Sequence, residues 1–185
     1  MTKFAIIGTA GRDKTKPMTR KTWDWMLRTA MEQIPPDSHL VSGGAAWSDH
    51  IAVALFLMDY AAEITLHLPA PLDGSGFVGP YRSAGSAANY YHQRFSQITG
   101  ANSIAELMYT CEQPKCHGSF QPPASGFDAM FTRNRLVVQE LNPETDHMVA
   151  FTFGQGDQPA DGGTRHTWDL FRSANKTHCP IPTSF

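Results

Sequence analysis

The sequence predicts an α/β fold, doubly wound around a mainly parallel sheet of about five strands and carrying one long insertion. Two observations lead there: short apolar runs alternate with segments of helical periodicity, and three glycine-bearing turns each lead from a strand-like run into a helical one. A strand, helix, strand order requires crossover connections, which favour parallel pairing and a right-handed path. The chain has 185 residues, enough for one well-buried core and too few for two, so a single domain over 1–185 is expected.

The elements follow in order. Phe4-Ala5-Ile6-Ile7 reads as a buried strand that ends at the turn Gly8-Thr9-Ala10-Gly11-Arg12-Asp13. Trp23, Met26, Leu27, Ala30 and Ile34 recur at helical spacing and predict a helix over 19–34. Pro35-Pro36 stops it, because neither can donate and the residue before them is pushed toward extended geometry. His39-Leu40-Val41 is a second strand closed by Ser42-Gly43-Gly44, and Ile51, Ala54, Leu55 and Met58 mark the next helical face. Ile64-Thr65-Leu66-His67-Leu68 is a third strand, ended by Pro69. Regularity breaks over 69–126, where Asp73-Gly74-Ser75-Gly76, Gly79-Pro80, Gln113-Pro114 and Pro122-Pro123 punctuate the chain and one helix is expected over 85–98. A connection this long reads as a lid or binding loop. Beyond it a helix is expected over 127–141, then the strand His147-Met148-Val149-Ala150-Phe151, a loop over 153–163, a helix over 164–174 and a last strand over 178–181.

Composition excludes several function classes. At 41% hydrophobic and 17% charged residues, the chain does not have a disordered composition. Lys+Arg 15 against Asp+Glu 17 gives a net charge of -2, so nucleic acid and anionic membrane surfaces are disfavoured as partners. No apolar run approaches membrane-spanning length, and Met1-Thr2-Lys3 opens no signal-like stretch. Three cysteines, an odd number, fit a reducing compartment, so a cytoplasmic location is expected. Cys111, Cys116 and His117 lack a C-x-x-C knuckle and a fourth ligand, and His178-Cys179 belongs to the last strand; no metal is expected. The first turn lacks the Gly-x-Gly-x-x-Gly pattern, so NAD is not favoured and no cofactor is expected.

The chemistry is expected at the turns over 8–12, 42–49 and 161–167. In a parallel sheet such turns share the carboxyl edge, where ligands bind near the topological switch point. Glycine allows close approach of backbone, and each following helix offers unpaired N–H groups to an anion. Arg12, Arg133 and Arg165 lie in or near that region, a combination that suits phosphate. The opposing reading is that these glycines serve tight turns alone.

Ile7-Gly8-Thr9-Ala10-Gly11-Arg12-Asp13 and Leu40-Val41-Ser42-Gly43-Gly44-Ala45-Ala46-Trp47-Ser48-Asp49 resemble the two opening motifs of the SLOG superfamily. This is the Rossmann-like group that includes the lonely-guy phosphoribohydrolases and DNA-processing protein A. Met130-Phe131-Thr132-Arg133-Asn134 is similar to the lonely-guy run of Met, two residues, Arg and Lys, with Asn134 in place of Lys. Asp161-Gly162-Gly163-Thr164-Arg165-His166-Thr167-Trp168-Asp169 resembles its Pro-Gly-Gly-x-Gly-Thr-x-x-Glu signature, with Arg165 in place of Gly and Asp169 in place of the catalytic Glu. The resemblance covers both ends of the chain but not 69–126.

The resemblance implies a nucleotide or nucleotide-derived ligand. Gly8, Thr9, Arg12, Ser42, Gly43, Gly44, Asn134, Gly162, Gly163, Thr164, His166 and Thr167 are the expected binding positions. Thr164 and Thr167 are alternatively ordinary helix caps. Arg133 is expected to hold a 5′-phosphate, and Asp169 to stabilise positive charge on the sugar or activate water. A surface ion pair and a solvated helix carboxylate are the plainer readings of those two. Asp49 is a ribose ligand or a helix-dipole cap. On the helix over 85–98, Tyr90 or Tyr91 is expected to stack a base, with His92 or Arg94 near phosphate; packing roles are the alternative. Two functions stay open: a nucleoside 5′-monophosphate N-glycosidase or phosphoribohydrolase, and a non-catalytic nucleotide sensor or sequestering protein. A homo-oligomer is expected, because Trp23, Trp25, Phe56 and Tyr60 exceed one core-facing stripe and related SLOG proteins are often homo-oligomeric.

Overall fold

The computed structural model describes residues 1–160 and 162–184. Along the chain run β1 (Lys3–Gly8), α1 (Arg20–Gln33), β2 (His39–Ser42), α2 (His50–Leu57), β3 (Glu63–Leu68), the short pair β4 (Leu72–Asp73) and β5 (Gly76–Phe77), α3 (Ala84–Thr99), α4 (Ser103–Cys111), β6 (Cys116–Phe120), α5 (Asp128–Gln139), β7 (His147–Thr152), α6 (Gly163–Leu170) and β8 (Lys176–Pro180). β4 and β5 pair antiparallel. The other strands form a six-stranded sheet in the order β6-β3-β2-β1-β7-β8, and every pairing in it is parallel. The α/β, Rossmann-like class expected from the sequence is the observed one.

Alternation along the strands builds two faces. Phe4, Ile6, Leu40, Ile64, Leu66 and Phe151 point into the larger core, with Trp23 and Met26 of α1, Ile51 and Leu55 of α2, Phe95 of α3 and Leu107 of α4. Ala5, Ile7, Val41, Met148 and Ala150 face the other way, against Val137 of α5 and Trp168 and Phe171 at α6. Right-handed crossovers explain this division: while strands are added outward from β1 through β6 the helices fall on one face, and when the chain returns to add β7 and β8 they fall on the other. The order therefore reverses at β1.

Local signals set the helix ends. Thr19 and Thr22 form a reciprocal capping box at the start of α1, and extended Ile34 ends it before the prolines. Ser83 and Ser86 do the same for α3. The helix expected over 164–174 stops at Leu170, because Phe171 turns extended and buries its ring in the second core. Much of 69–126 completes the sheet: α4 packs against α2 and α3, and β6 adds a strand beside β3. Cys116-His117-Gly118-Ser119-Phe120 carries no apolar alternation since this edge strand is largely exposed, so burial left no period to read.

The four aromatics that suggested a partner all pack at least in part on the larger core. Trp23 is buried, Trp25, Phe56 and Tyr60 pack on the larger core, and the Tyr60 hydroxyl donates to the Ile34 carbonyl at 2.8 Å. Among the described residues no helix is long and apolar enough to cross a membrane.

Gly118 tests the edge strand. It lies at φ +135, and a side chain there would collide with the Leu66 carbonyl across the β3–β6 ladder. Gly118→Ala is expected to cost about 2–4 kcal/mol, read as a lower urea midpoint with an unchanged slope. A midpoint equal to the parent's would show that β6 is not paired in this register.

Candidate functional site

β1 and β7 are neighbours, yet the loops that follow them lead to helices on opposite faces, so the carboxyl edge opens between them. Backbone and hydroxyl contacts fix its rim. The Thr9 N–H donates to the Phe151 carbonyl at 2.9 Å. The Ser48 hydroxyl is shared between the carbonyls of Thr9 (3.1 Å) and Phe151 (3.2 Å), and the Thr164 hydroxyl donates to the Gly8 carbonyl at 2.9 Å. The turns after β1 and β2 and the start of α6 thus meet at one place.

A buried ion pair closes the neighbouring turn. Asp49 of the α2 start and Arg133 of α5 approach from opposite layers, with Nη1 and Oδ2 3.6 Å apart. Arg133 Nη1 also donates to the Gly43 carbonyl, and its Nε to Asn134 Oδ1 at 3.0 Å. Gly43 must lack a side chain, because a Cβ would lie 2.8 Å from both Arg133 Nη1 and Asp49 Oδ2. Burial pushes the Asp49 carboxyl above its usual range, while the Arg133 guanidinium and the N–H groups of Ala45 and Gly43 pull it back. The Ser42 hydroxyl donates to the Asp49 carbonyl at 2.8 Å and accepts from the Gly44 N–H. Asp49 and Arg133, read from the sequence as ligand groups, are thus engaged mainly with each other and with backbone.

α3 reaches the same turn from outside. His92 is fully buried; its Nε2 meets the Gly44 carbonyl at 3.0 Å and its Nδ1 the Ser103 hydroxyl at 2.9 Å. A carbonyl only accepts, so Nε2 carries the proton and Nδ1 accepts from Ser103. Burial, with the charge of nearby His50, depresses the imidazole to about 3, and the ring is neutral. Both ring nitrogens have partners within the protein, so His92 braces the turn. Tyr91 stays half-buried, with the Arg12 guanidinium 5.3 Å above its ring. Arg12 is exposed, its Nη2 rests on Met130 Sδ at 3.4 Å, and among the described residues it pairs with no carboxylate.

α6 begins at Gly162 with no side-chain cap, unlike α1, α3 and α4, which Thr19, Ser83 and Asn102 cap. Among the described residues no acceptor reaches the amides of Gly163, Thr164 and Arg165. Thr167 is buried and returns its hydroxyl to the Gly163 carbonyl, while His166 is exposed with Phe131 edge-on at 6.3 Å. Asp169 lies on the exposed side of α6, where Arg165 Nε holds both its carboxylate oxygens at 3.0 Å. Among the described residues no contact joins Asp169 to Arg12, Asp49 or Arg133. Asp161 lies outside the described residues.

Ser48 is the positioning residue that pattern reading overlooks, and nothing short of the β1–β7 pairing would have revealed it. A second is His50, fully buried at the α2 start with its Nε2 2.7 Å from Glu106 of α4. Two shallow hollows lie elsewhere: one of about 350 Å³ beside Phe56, Tyr109 and Lys115, and one of about 510 Å³ beside Asn89, Gln93 and Asn102.

Over 183 residues the chain is 33% identical to the uncharacterized protein R261 of Acanthamoeba polyphaga mimivirus; the alignment covers 94% of this chain and 93% of that one. The chain belongs to the same family as that viral protein. No family model and no solved structure matches this chain.

Arg133→Met probes the ion pair. Leaving Asp49 buried without its cation should cost about 3–5 kcal/mol in denaturant unfolding at neutral pH. The folded variant would then hold the Asp49 proton more tightly than the unfolded chain. Its stability should be greatest below the ordinary Asp value of 3.8 and fall as pH rises through the raised one. A cost independent of pH would sever the link to Asp49.

Proposed function

We propose that this protein binds a phosphate-bearing, nucleotide-derived small molecule at the carboxyl edge between β1 and β7 and holds it intact. One observation carries this reading: the Arg12 guanidinium is exposed at the switch point, on the Tyr91 ring and Met130, without a carboxylate partner among the described residues. A cation on an aromatic face beside uncapped helix amides suits an anion with a planar group attached. The amides of Gly163, Thr164 and Arg165, which have no acceptor among the described residues, would take phosphate oxygens, and Phe131 and His166 supply apolar and aromatic surface nearby. The resemblance to the SLOG superfamily supports the same ligand class.

Capture is favoured over N-glycosidic cleavage by the state of Asp169. Cleavage would need that carboxylate beside the anomeric carbon, whereas Arg165 grips both of its oxygens on an exposed helix side. Arg133 acts in this reading by holding the loop over 42–49 rather than by clamping phosphate, as its Nη1 and Nε already have protein acceptors.

The test is incubation with nucleoside 5′-monophosphates, cyclic nucleotides and ADP-ribose-type nucleotides, followed by chromatography and calorimetry. Intact ligand should be retained, with Arg12→Ala weakening affinity by about tenfold to a hundredfold and Asp169→Asn changing little. Release of free base that stops in Asp169→Asn would make the protein an N-glycosidase instead. Affinity unaffected by Arg12→Ala would remove the ligand from this edge.

A further inference from the structure

On the sheet face turned toward α5, the outer strands carry polar side chains. β3 and β6 run in parallel register, with His67 beside Ser119 and Thr65 beside His117. Ile64 and Leu66 point into the larger core, so Thr65 and His67 alternate to the other face. α5 packs over β3 and ends at Glu140. β6 lies at the margin of the sheet, and its Ser119 is exposed. The topology thus sets a buried imidazole between an accessible hydroxyl and a carboxylate.

The distances order the three groups. Ser119 Oγ lies 2.9 Å from His67 Nδ1. Across the ring, Nε2 is buried with no close hydrogen-bond partner among the described residues, and Glu140 Oε1 stands 3.4 Å from it, at ion-pair distance. Glu140 Oε2 accepts from Lys3 Nζ at 2.8 Å, which ties the carboxylate to β1. A carboxylate repels a ring lone pair and attracts an N–H. The proton therefore belongs on Nε2, and the Nδ1 lone pair accepts from the Ser119 hydroxyl. Burial pushes the imidazole below its ordinary range, Glu140 opposes this and Lys3 adds to it, so the ring is neutral and able to take a proton. His39 supplies the contrast. It repeats the pattern, with Nε2 2.7 Å from Thr65 Oγ1 and Nδ1 3.3 Å from Glu63 Oε2, but Thr65 is buried. Of the two hydroxyls, Ser119 alone is exposed.

We propose that Ser119 is a nucleophile, His67 its general base and Glu140 the positioning residue of a second site, which cleaves carboxylic esters through an acyl-serine. An alcohol beside a neutral, oriented imidazole is the equipment that acyl transfer to and from oxygen requires. As Nδ1 takes the hydroxyl proton, Ser119 Oγ attacks the ester carbon and a C–O bond forms. The tetrahedral adduct collapses by breaking the bond to the alcohol oxygen, which leaves with the proton from Nδ1. Water then gives a proton to Nδ1 and attacks the acyl carbon; the bond to Oγ breaks, and Oγ recovers a proton. One ester and one water become one carboxylic acid and one alcohol. Glu140 touches no reacting atom: it favours the tautomer with Nε2–H and stabilises the imidazolium that forms between steps. The site lies on the β3–β6 margin and is independent of the ligand reading above.

The full chain, mixed with p-nitrophenyl acetate and quenched in acid, tests this. It should release nitrophenol in a burst and gain one acetyl group, about 42 Da, at Ser119 on peptide mapping. Diisopropyl fluorophosphate should label the same residue and stop the release. Ser119→Ala should lose the burst and both labels, and His67→Gln should slow acylation by about a hundredfold. Glu140→Gln should slow it by about tenfold and move the rising limb of the pH–rate profile to lower pH, because the carboxylate raises the His67 imidazole against burial and Lys3. A merely structural Glu140 would leave that limb in place, and an unmoved limb would overturn its role. An unlabelled Ser119 in the unsubstituted protein, or nitrophenol release unchanged in Ser119→Ala, would overturn the proposal. The label map of the unsubstituted protein decides the matter even if a variant fails to fold.

Discussion

Asp49 and Arg133 meet across the end of β2 from helices on opposite faces of the sheet, and the geometry of the carboxyl edge depends on that contact. Taking two charges out of water is costly unless the remaining donors and acceptors are filled. Here they are filled by the Gly43 carbonyl, Asn134 and the N–H groups of Ala45 and Gly43. The pair therefore contributes less net stability than register: it works in one position of α5 over the turn and in no other. With that turn held, Ser48 is placed to bridge the ends of β1 and β7.

The stretch between β3 and α5 serves the same edge. It has the irregular composition of a lid, yet α3 inserts a neutral, buried His92 behind Gly44 and so supports the turn from the outer side. Structural polar groups consume most of the hydrogen-bonding capacity near the ion pair. Among the described residues, Arg12 has no carboxylate partner and the first amides of α6 have no side-chain cap.

Burial decides what pattern reading recovers. α1 runs from Arg20 to Gln33 inside the expected 19–34, since its stripe of Trp23, Met26 and Ala30 meets one core and its ends carry their own stop signals. β6 leaves no comparable trace, being an exposed edge strand, and the start of β8 at Lys176 is blurred for the same reason. At the edge, the glycine turns over 8–12 and 42–49 are legible because strand, turn and helix are all local. Ser48 and His92 are not legible as braces, because their partners come from elements that only the topology brings near.

The sequence by itself determined the α/β class, the parallel winding and the turns gathered at the carboxyl edge, since periodicity and proline or glycine punctuation act over a few residues. Only the tertiary structure decided which side chains at that edge are spent and which are free. Arg133 donates to a carbonyl 90 residues away in the chain, and His92 to one 48 residues away. Asp169 is held by its own helix neighbour Arg165. A polar residue type states what a side chain is able to bind; the nearest partner within reach, set by how the layers pack, settles what it does bind.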